Sequence, residues 1–211
     1  MFCPLCNSSD IKDFCNINSK LYNNCLNCDL IFLDKTYYLN QKDEKKRYAF
    51  HQNNIEDKGY VDFLNQLIFP LKNFLKPKIQ GLDFACGPEP VLANLMEKYD
   101  LKCDFYDPYF FPKLDKNKTY EFITATECFE HFFEAKKEIE LINSLLKPKS
   151  YLGIMTEFVT NKINFKNWYY IKDPTHVCFY SLKTFEYLSE KFGFEILYTD
   201  KKRVIIFYKN K

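Results

Sequence analysis

Beyond Pro77 the chain switches repeatedly between two periodicities, and this alternation restricts the fold more than any other feature. Runs rich in β-branched and aromatic residues at 79–84, 102–106, 122–126 and 151–156 read as strands. Between them, 91–98 and 134–146 carry apolar residues at helical spacing, as does 181–192 farther on. Pro148 marks the end of the second helix, Ser181 is a plausible N-cap for the third, and Gly193 stands just past its end. Strands alternating with helices imply a mainly parallel sheet covered on both faces, an α/β fold. Two last strand runs, 194–198 and 204–208, are close enough to form a hairpin. Residues 77–211 read as one domain.

Upstream, Phe63, Leu64, Leu67, Ile68 and Leu71 recur at helical spacing, and Pro70 is expected to end or kink that helix. The segment 39–58 is polar, and 42–47 reads as a solvated helix face. His51 belongs to the same solvated segment. Residues 39–76 are thus a helical linker or cap.

Of nine cysteines, four form two tight pairs, Cys3-Pro-Leu-Cys6 and Cys25-Leu-Asn-Cys28, with 18 residues between them. Each pair turns two thiolates to one side, and two such turns complete a sulfur tetrahedron around Zn²⁺. Residues 1–38 therefore read as a zinc ribbon. With all four positions filled by protein, the metal is structural. Cys15, Cys86, Cys103, Cys128 and Cys178 are scattered and read as small apolar core residues. Metal ligands in place of disulfides indicate a reducing compartment. Without a signal peptide or a run of about 18 apolar residues, the chain is expected to be cytoplasmic, with no membrane contact. Over residues 1–35, three lysines and four aspartates give a net charge of −1, which disfavours phosphate binding by the ribbon. The whole chain carries +2.

The run Gly81-Leu-Asp83-Phe-Ala85-Cys86-Gly87-Pro-Glu89-Pro90 follows a predicted strand and precedes a predicted helix. Small residues there let the backbone approach a ligand, and amides at the helix start face its negative groups. Asp107 ends the next strand, 20 residues after Gly87, the offset at which an acid takes ribose hydroxyls. This pattern resembles the first motif of class I methyltransferases, which hold S-adenosylmethionine. The resemblance implies a Rossmann-like sheet with Asp83, Ala85, Gly87, Asp107, Tyr109 and Thr126 at the cofactor. It also implies that the segment before this domain closes over the cofactor. Ala85 stands where the family usually has its first glycine. Glu89 replaces a later one, adding an anion and calling for an unusual backbone angle. Only 14 residues separate Asp107 from Phe122, too few for the usual elements, so the family's third strand is expected to be lost.

Thr126-Glu127-Cys-Phe-Glu130-His131-Phe132 follows the next strand, and Asp173-Pro-Thr175-His176 follows the one after. The first resembles the E-x-x-E-H segment of ubiquinone-pathway O-methyltransferases and small-RNA 2′-O-methyltransferases, which carry a later histidine. Three readings stand. Glu127, Glu130, His131 and His176 hold a second divalent ion (Mg²⁺, Mn²⁺ or Zn²⁺), with the first three sharing a helix face. Alternatively His176 or His131, with Glu127, is the metal-free catalytic group. In the third, Glu130 and His131 only cap and orient a helix. Aromatics Phe165, Trp168, Tyr169 and Tyr170 line an acceptor pocket or form a packed lid. The resemblance implies methyl transfer to an O or N atom of a small molecule. An RNA acceptor, or a degenerate domain that only binds a partner, are the alternatives.

Overall fold

The computed structural model describes residues 1–50, 54–160 and 163–211, so His51 lies outside the described residues. The chain opens with strands β1 (Ile11–Ile17), β2 (Lys20–Cys25) and β3 (Ile31–Leu33), then helices α1 (Gln41–Tyr48) and α2 (Lys58–Lys72). It continues as β4 (Gln80–Phe84), α3 (Val91–Glu97), β5 (Lys102–Tyr106), β6 (Tyr120–Thr126), α4 (Ala135–Leu145) and β7 (Leu146–Met155). It ends with β8 (Cys178–Phe179), α5 (Leu182–Phe192), β9 (Phe194–Thr199) and β10 (Val204–Lys209).

Six strands form the central sheet in the order β5-β4-β6-β7-β10-β9. The first four pair in parallel, as crossover helices require. β10 runs antiparallel to both β7 and β9, so the expected hairpin closes the sheet. Between β5 and β6 only an isolated bridge, Asp107 to Phe111, occurs. The third strand of the family is absent from this segment, as the count of residues required. Leu64, Leu67, Ile68 and Leu71 of α2 pack with Val91, Leu92 and Met96 of α3 in one apolar cluster. Ile139 and Ile142 of α4 and Phe185 and Leu188 of α5 belong to another.

Two details depart from the expected pattern. Pro70 does not end α2, which runs on to Lys72. Its missing N–H removes one helical bond, and burial of Leu67, Ile68 and Leu71 on the packed face outweighs that loss. Strand β7 starts at Leu146, not 151, and contains Pro148. Its register against β6 shifts between Tyr120 and Phe122, and Lys149 has φ 59°. Pro148 therefore sits at an irregularity where its absent donor costs little.

Gly81 is required by its neighbours. A Cβ there would lie 2.1–2.4 Å from three atoms of the Phe122 ring, which is fully buried. The ring has no room to retreat, so Gly81→Ala should destabilise the chain by about 2–3 kcal/mol through overpacking. Urea unfolding with an unchanged m-value would check this.

The N-terminal module is not a separate unit. Its sheet runs β1-β2-β3-β8, so its last strand comes from far along the chain, after β7 of the central sheet. Ile31 pairs with Phe179 and Phe32 with Cys178. Leu5, Tyr22, Leu30 and Leu33 share one apolar core with Phe129, Phe158 and Phe185. No helix among the described residues is long and apolar enough to cross a membrane.

Candidate active site

The four paired cysteines converge as the spacing demanded. Their sulfurs lie within 4.8 Å of one another, with Cys3 to Cys28 at 3.6 Å and Cys6 to Cys25 at 3.4 Å. Asn7 and Asp29, each directly after the second cysteine of a pair, adopt left-handed backbone (φ 58° and 60°). Asn and Asp tolerate this conformation best among side-chain-bearing residues, and it turns each pair back on itself. Cys15 is not part of the cluster.

At the carboxyl ends of β4, β5 and β6 lies a cavity of roughly 500 Å³, within the range of small-molecule sites. Ala85, Gly87, Asp107, Tyr109, Thr126, Glu127, Glu130, His131 and His176 all line it. Ala85 takes φ 60° and Gly87 φ 74°, so the loop does require glycine-like geometry at both points. Asp107 fixes the loop. Its Oδ2 accepts from the Gly87 amide at 3.0 Å, and its Oδ1 from the Tyr109 and Phe110 amides at 2.8 and 3.1 Å. Asp107 is not a surface turn residue: it is buried, and its carboxylate holds the loop together.

Three expectations are corrected here. Glu89 is exposed, has no positive φ and does not line the cavity, so it neither strains the loop nor charges the site. Asp83 does not line the cavity either. Its carboxylate is buried between sheet and helix, accepting from the Thr124 hydroxyl at 3.0 Å and from the Ala93 amide. It anchors α3 under the loop. The segment 42–47 is not a fully solvated face. Glu44 is 7% exposed and accepts from the Tyr48 hydroxyl at 2.8 Å and the Tyr109 hydroxyl at 2.5 Å. Gln41, Glu44 and Tyr48 form one wall of the cavity. Arg47 bonds Asp173 with Nε and Nη2 at 3.0 and 2.8 Å. Helix α1 is therefore strapped over the cavity from both sides. The mixture of lysines and acids in its sequence hid the one buried glutamate.

The second constellation also differs from an α-helix start. Glu127 has φ 48°, and Phe129–His131 is a single 3-10 turn. Glu130, His131 and His176 place ligand atoms within 4.8 Å of one another, and Glu127 is outside that group. Without an α-helical i, i+3, i+4 stack, the four-residue ligand set reduces to three. His131 Nδ1 lies 3.1 Å from the Thr175 carbonyl, which fixes Nδ1 as a donor and points Nε2 toward Glu130 Oε1, 4.0 Å away. Glu130 is fully buried and accepts from the Tyr170 hydroxyl at 2.6 Å and the Thr156 hydroxyl at 2.8 Å. The stretch Phe165 to Tyr170 does not line the cavity. It is a packed lid behind the site, with Trp168 and Tyr170 buried. Tyr170 and Thr156 escaped sequence reading because their role is to hold Glu130, and nothing local marks that.

A sequence profile described as "Methyltransferase domain" matches residues 51–199. The chain belongs to the methyltransferase domain family. As a member it is an S-adenosylmethionine-dependent methyltransferase. No curated protein matches its sequence. In fold it is similar to an O-methyltransferase family protein from Burkholderia thailandensis, with TM-score 0.51, 13% identity, and coverage of 80% of this chain and 63% of that one. It is also similar to a proposed sarcosine dimethylglycine methyltransferase from Galdieria sulphuraria, with TM-score 0.50, 13% identity, and coverage of 79% and 98%.

The electrostatics of the methyltransferase site follow from burial. Desolvation pushes the His176 imidazole down to about 4, so it is neutral at physiological pH. Burial, reinforced by the neighbouring Glu130, drives the Glu127 carboxyl well above its usual range. Desolvation lifts Asp83 to about 7 against an ordinary 3.8, and the bonds from Thr124 and Ala93 only partly oppose it. A raised folded-state value means stability present below the unfolded pKa and lost as pH rises through the folded one. The stability advantage of the wild type over Asp83→Asn should therefore shrink between pH 4 and 7. Melting both proteins at pH 5 and pH 8 would test it: an advantage that grows with pH contradicts the assignment.

Proposed function

We propose that this methyltransferase moves the methyl group of S-adenosylmethionine to an O or N atom of a small-molecule acceptor inside the cavity. The observation that carries this reading is that two groups of residues border one cavity. One is the Ala85–Gly87 loop tied to Asp107, and the other is Glu130, His131 and His176, with Glu127 lining the same space. Asp107 retains acceptor capacity beyond its three amide bonds and would take ribose hydroxyls, while Gly87 and Ala85 admit the methionyl part. Tyr109 and Thr126 border the same space. Helix α1 covers the cofactor, and its closure aligns the reacting atoms and excludes water.

The four-cysteine module is read as a zinc ribbon with a structural Zn²⁺ on Cys3, Cys6, Cys25 and Cys28, which fits a reducing, cytoplasmic setting. Residues 1–38, 39–76 and 77–211 then serve as ribbon, cap and catalytic domain. On the acceptor side, His131 is the proton acceptor through Nε2, and neutral His176 supports it. One observation favours a second reading. His131 donates from Nδ1 to a backbone carbonyl, as metal-bound histidines commonly do, and the Nδ1 of His176 is buried without a partner. Glu130, His131 and His176 would then hold a divalent ion (Mg²⁺, Mn²⁺ or Zn²⁺), which would lower the pKa of an acceptor hydroxyl.

Incubating the protein with S-adenosylmethionine and panels of small amines, phenols and RNA, with mass spectrometry of the acceptors, tests the proposal. Methylated small molecules, with turnover lowered about a hundredfold in His131→Ala, are expected. Methylated RNA with every small molecule untouched would refute the acceptor class.

A further inference from the structure

Six carboxylates line the cavity: Glu44, Asp107, Glu127, Glu130, Glu134 and Glu138. No lysine or arginine is among the described lining residues. His176, held neutral by burial, adds no counter-charge. Most of these acids already have partners. Asp107 holds three amides, Glu44 two tyrosine hydroxyls and Glu130 two hydroxyls. Glu134 pairs with Lys137 at 2.6 Å at the rim, and Glu138 has Lys116 and Lys137 nearby.

Glu127 differs. Its Oε1 is buried and has no hydrogen-bond partner, and its Oε2 has only a long contact, 3.4 Å, to the Tyr170 hydroxyl. Arg203 acts on Glu127 from the far side as a charge without a hydrogen bond to it, and it is shared with Glu157, 3.6 Å from its Nη2, while its guanidinium sits over the Phe63 ring. A buried carboxyl oxygen without a donor carries an unmet desolvation penalty, and a cation at Oε1 would supply both the donor and the charge that keeps the group ionised against burial. Glu127 also stands outside the Glu130–His131–His176 group, so a metal on those three would leave Oε1 unmatched. Around it the walls are aromatic, with Tyr48, Tyr60, Phe63 and Tyr109 facing the same space, surfaces that hold organic cations.

Resting on the methyltransferase reading, we propose that the acceptor is an organic amine that enters as its ammonium ion and donates an N–H to Oε1 of Glu127. The step balances without further reagents. The ammonium gives one proton to Nε2 of His131, while a second N–H stays on Oε1 of Glu127. The freed nitrogen lone pair forms the N–C bond to the methyl carbon while the C–S bond breaks, its electron pair staying on sulfur. The products are a methylated ammonium, the uncharged thioether S-adenosylhomocysteine and a protonated His131, which releases its proton to water. An acceptor bearing a carboxylate or phosphate at this point would face a wall of like charge and be excluded.

Calorimetry on the 211-residue chain, supplied with Zn²⁺ and saturated with S-adenosylhomocysteine, tests this with three probes of similar size: benzylamine, benzyl alcohol and benzoate. Benzylamine should bind about tenfold more tightly than benzyl alcohol, as one charge-assisted hydrogen bond provides, and benzoate should not bind. In Glu127→Gln the preference for the amine should vanish. Equal or tighter binding of the alcohol or benzoate, no binding of benzylamine, or an amine preference that survives in Glu127→Gln overturns the proposal. Mn²⁺ binding that displaces benzylamine and is lost in Glu127→Gln would also overturn it, by giving Oε1 to a metal. Absence of S-adenosylhomocysteine binding in the same titrations would instead count against the cofactor site itself.

Discussion

Replacing Cys28 with serine should lower the melting temperature of the whole chain by about 10 °C and reduce turnover as well. Structural zinc contributes directly to folding energy, about 10 kcal/mol or more in small isolated modules. The Zn²⁺ proposed for this module would put part of that energy into residues far away in sequence. β3 pairs with β8, the Leu33 amide donates to the Val177 carbonyl at 2.8 Å, and Val177 directly follows His176. On the other side of the module, the Pro4 carbonyl accepts from the Lys136 amide at 2.9 Å, and the Asp29 carboxylate accepts from the Ser181 hydroxyl at 2.5 Å. Losing the metal would free β3 and with it the support of His176. A loss of about 3 kcal/mol corresponds to ~10 °C in a chain of this size. Cys15→Ala is the control: Cys15 lies outside the cluster and should shift the melting point by only ~2 °C or less. Differential scanning calorimetry, with zinc quantified in each protein, separates the two. A Cys28→Ser protein that melts like the wild type would show that the module contributes little to the fold.

Asp107→Ala should weaken S-adenosylmethionine binding by roughly a hundredfold. Two losses combine. The carboxylate proposed to take the ribose hydroxyls is gone, and the amides of Gly87, Tyr109 and Phe110 lose the acceptor that holds the loop in register. Charge-assisted bonds of this kind contribute about 1.5–3 kcal/mol each, and ~2.7 kcal/mol is a hundredfold. The exposed Asp115, on the same connection but outside the cavity, provides the comparison: Asp115→Ala should bind like the wild type. Thermal-shift titration with S-adenosylhomocysteine gives both affinities. Equal affinity in Asp107→Ala and wild type would remove Asp107 from the cofactor site.

The order of strands and helices was legible because each buried element writes its own period into the chain. The missing third strand was legible from counting, since 14 residues cannot hold a helix and a strand between Asp107 and Phe122. The cysteine cluster was legible from two short spacings. What escaped is long-range or unmarked by any pattern. β8 is only Cys178–Phe179, too short to show alternation, and its partner β3 precedes it by some 145 residues of intervening chain. Glu44 sits in a helix whose other acids and lysines face solvent, so nothing local distinguishes it. Asp83 looked like a ligand contact because it ends a strand beside the loop. Its side chain turns instead toward Thr124 and Ala93, into the layer that supports α3. The E-x-x-E-H spacing suggested a helix face, and the left-handed backbone at Glu127 breaks it. That break leaves Glu127 apart from the three residues that cluster, and it is the reason its free oxygen stands out.

The most direct test of the cofactor assignment is calorimetric titration of S-adenosylmethionine into the purified, zinc-loaded protein. One site of micromolar affinity is expected, filling the space between the Ala85–Gly87 loop and Asp107. No heat of binding, with or without added Mg²⁺ or Mn²⁺, would contradict the account and leave this fold as an interaction module that holds no cofactor.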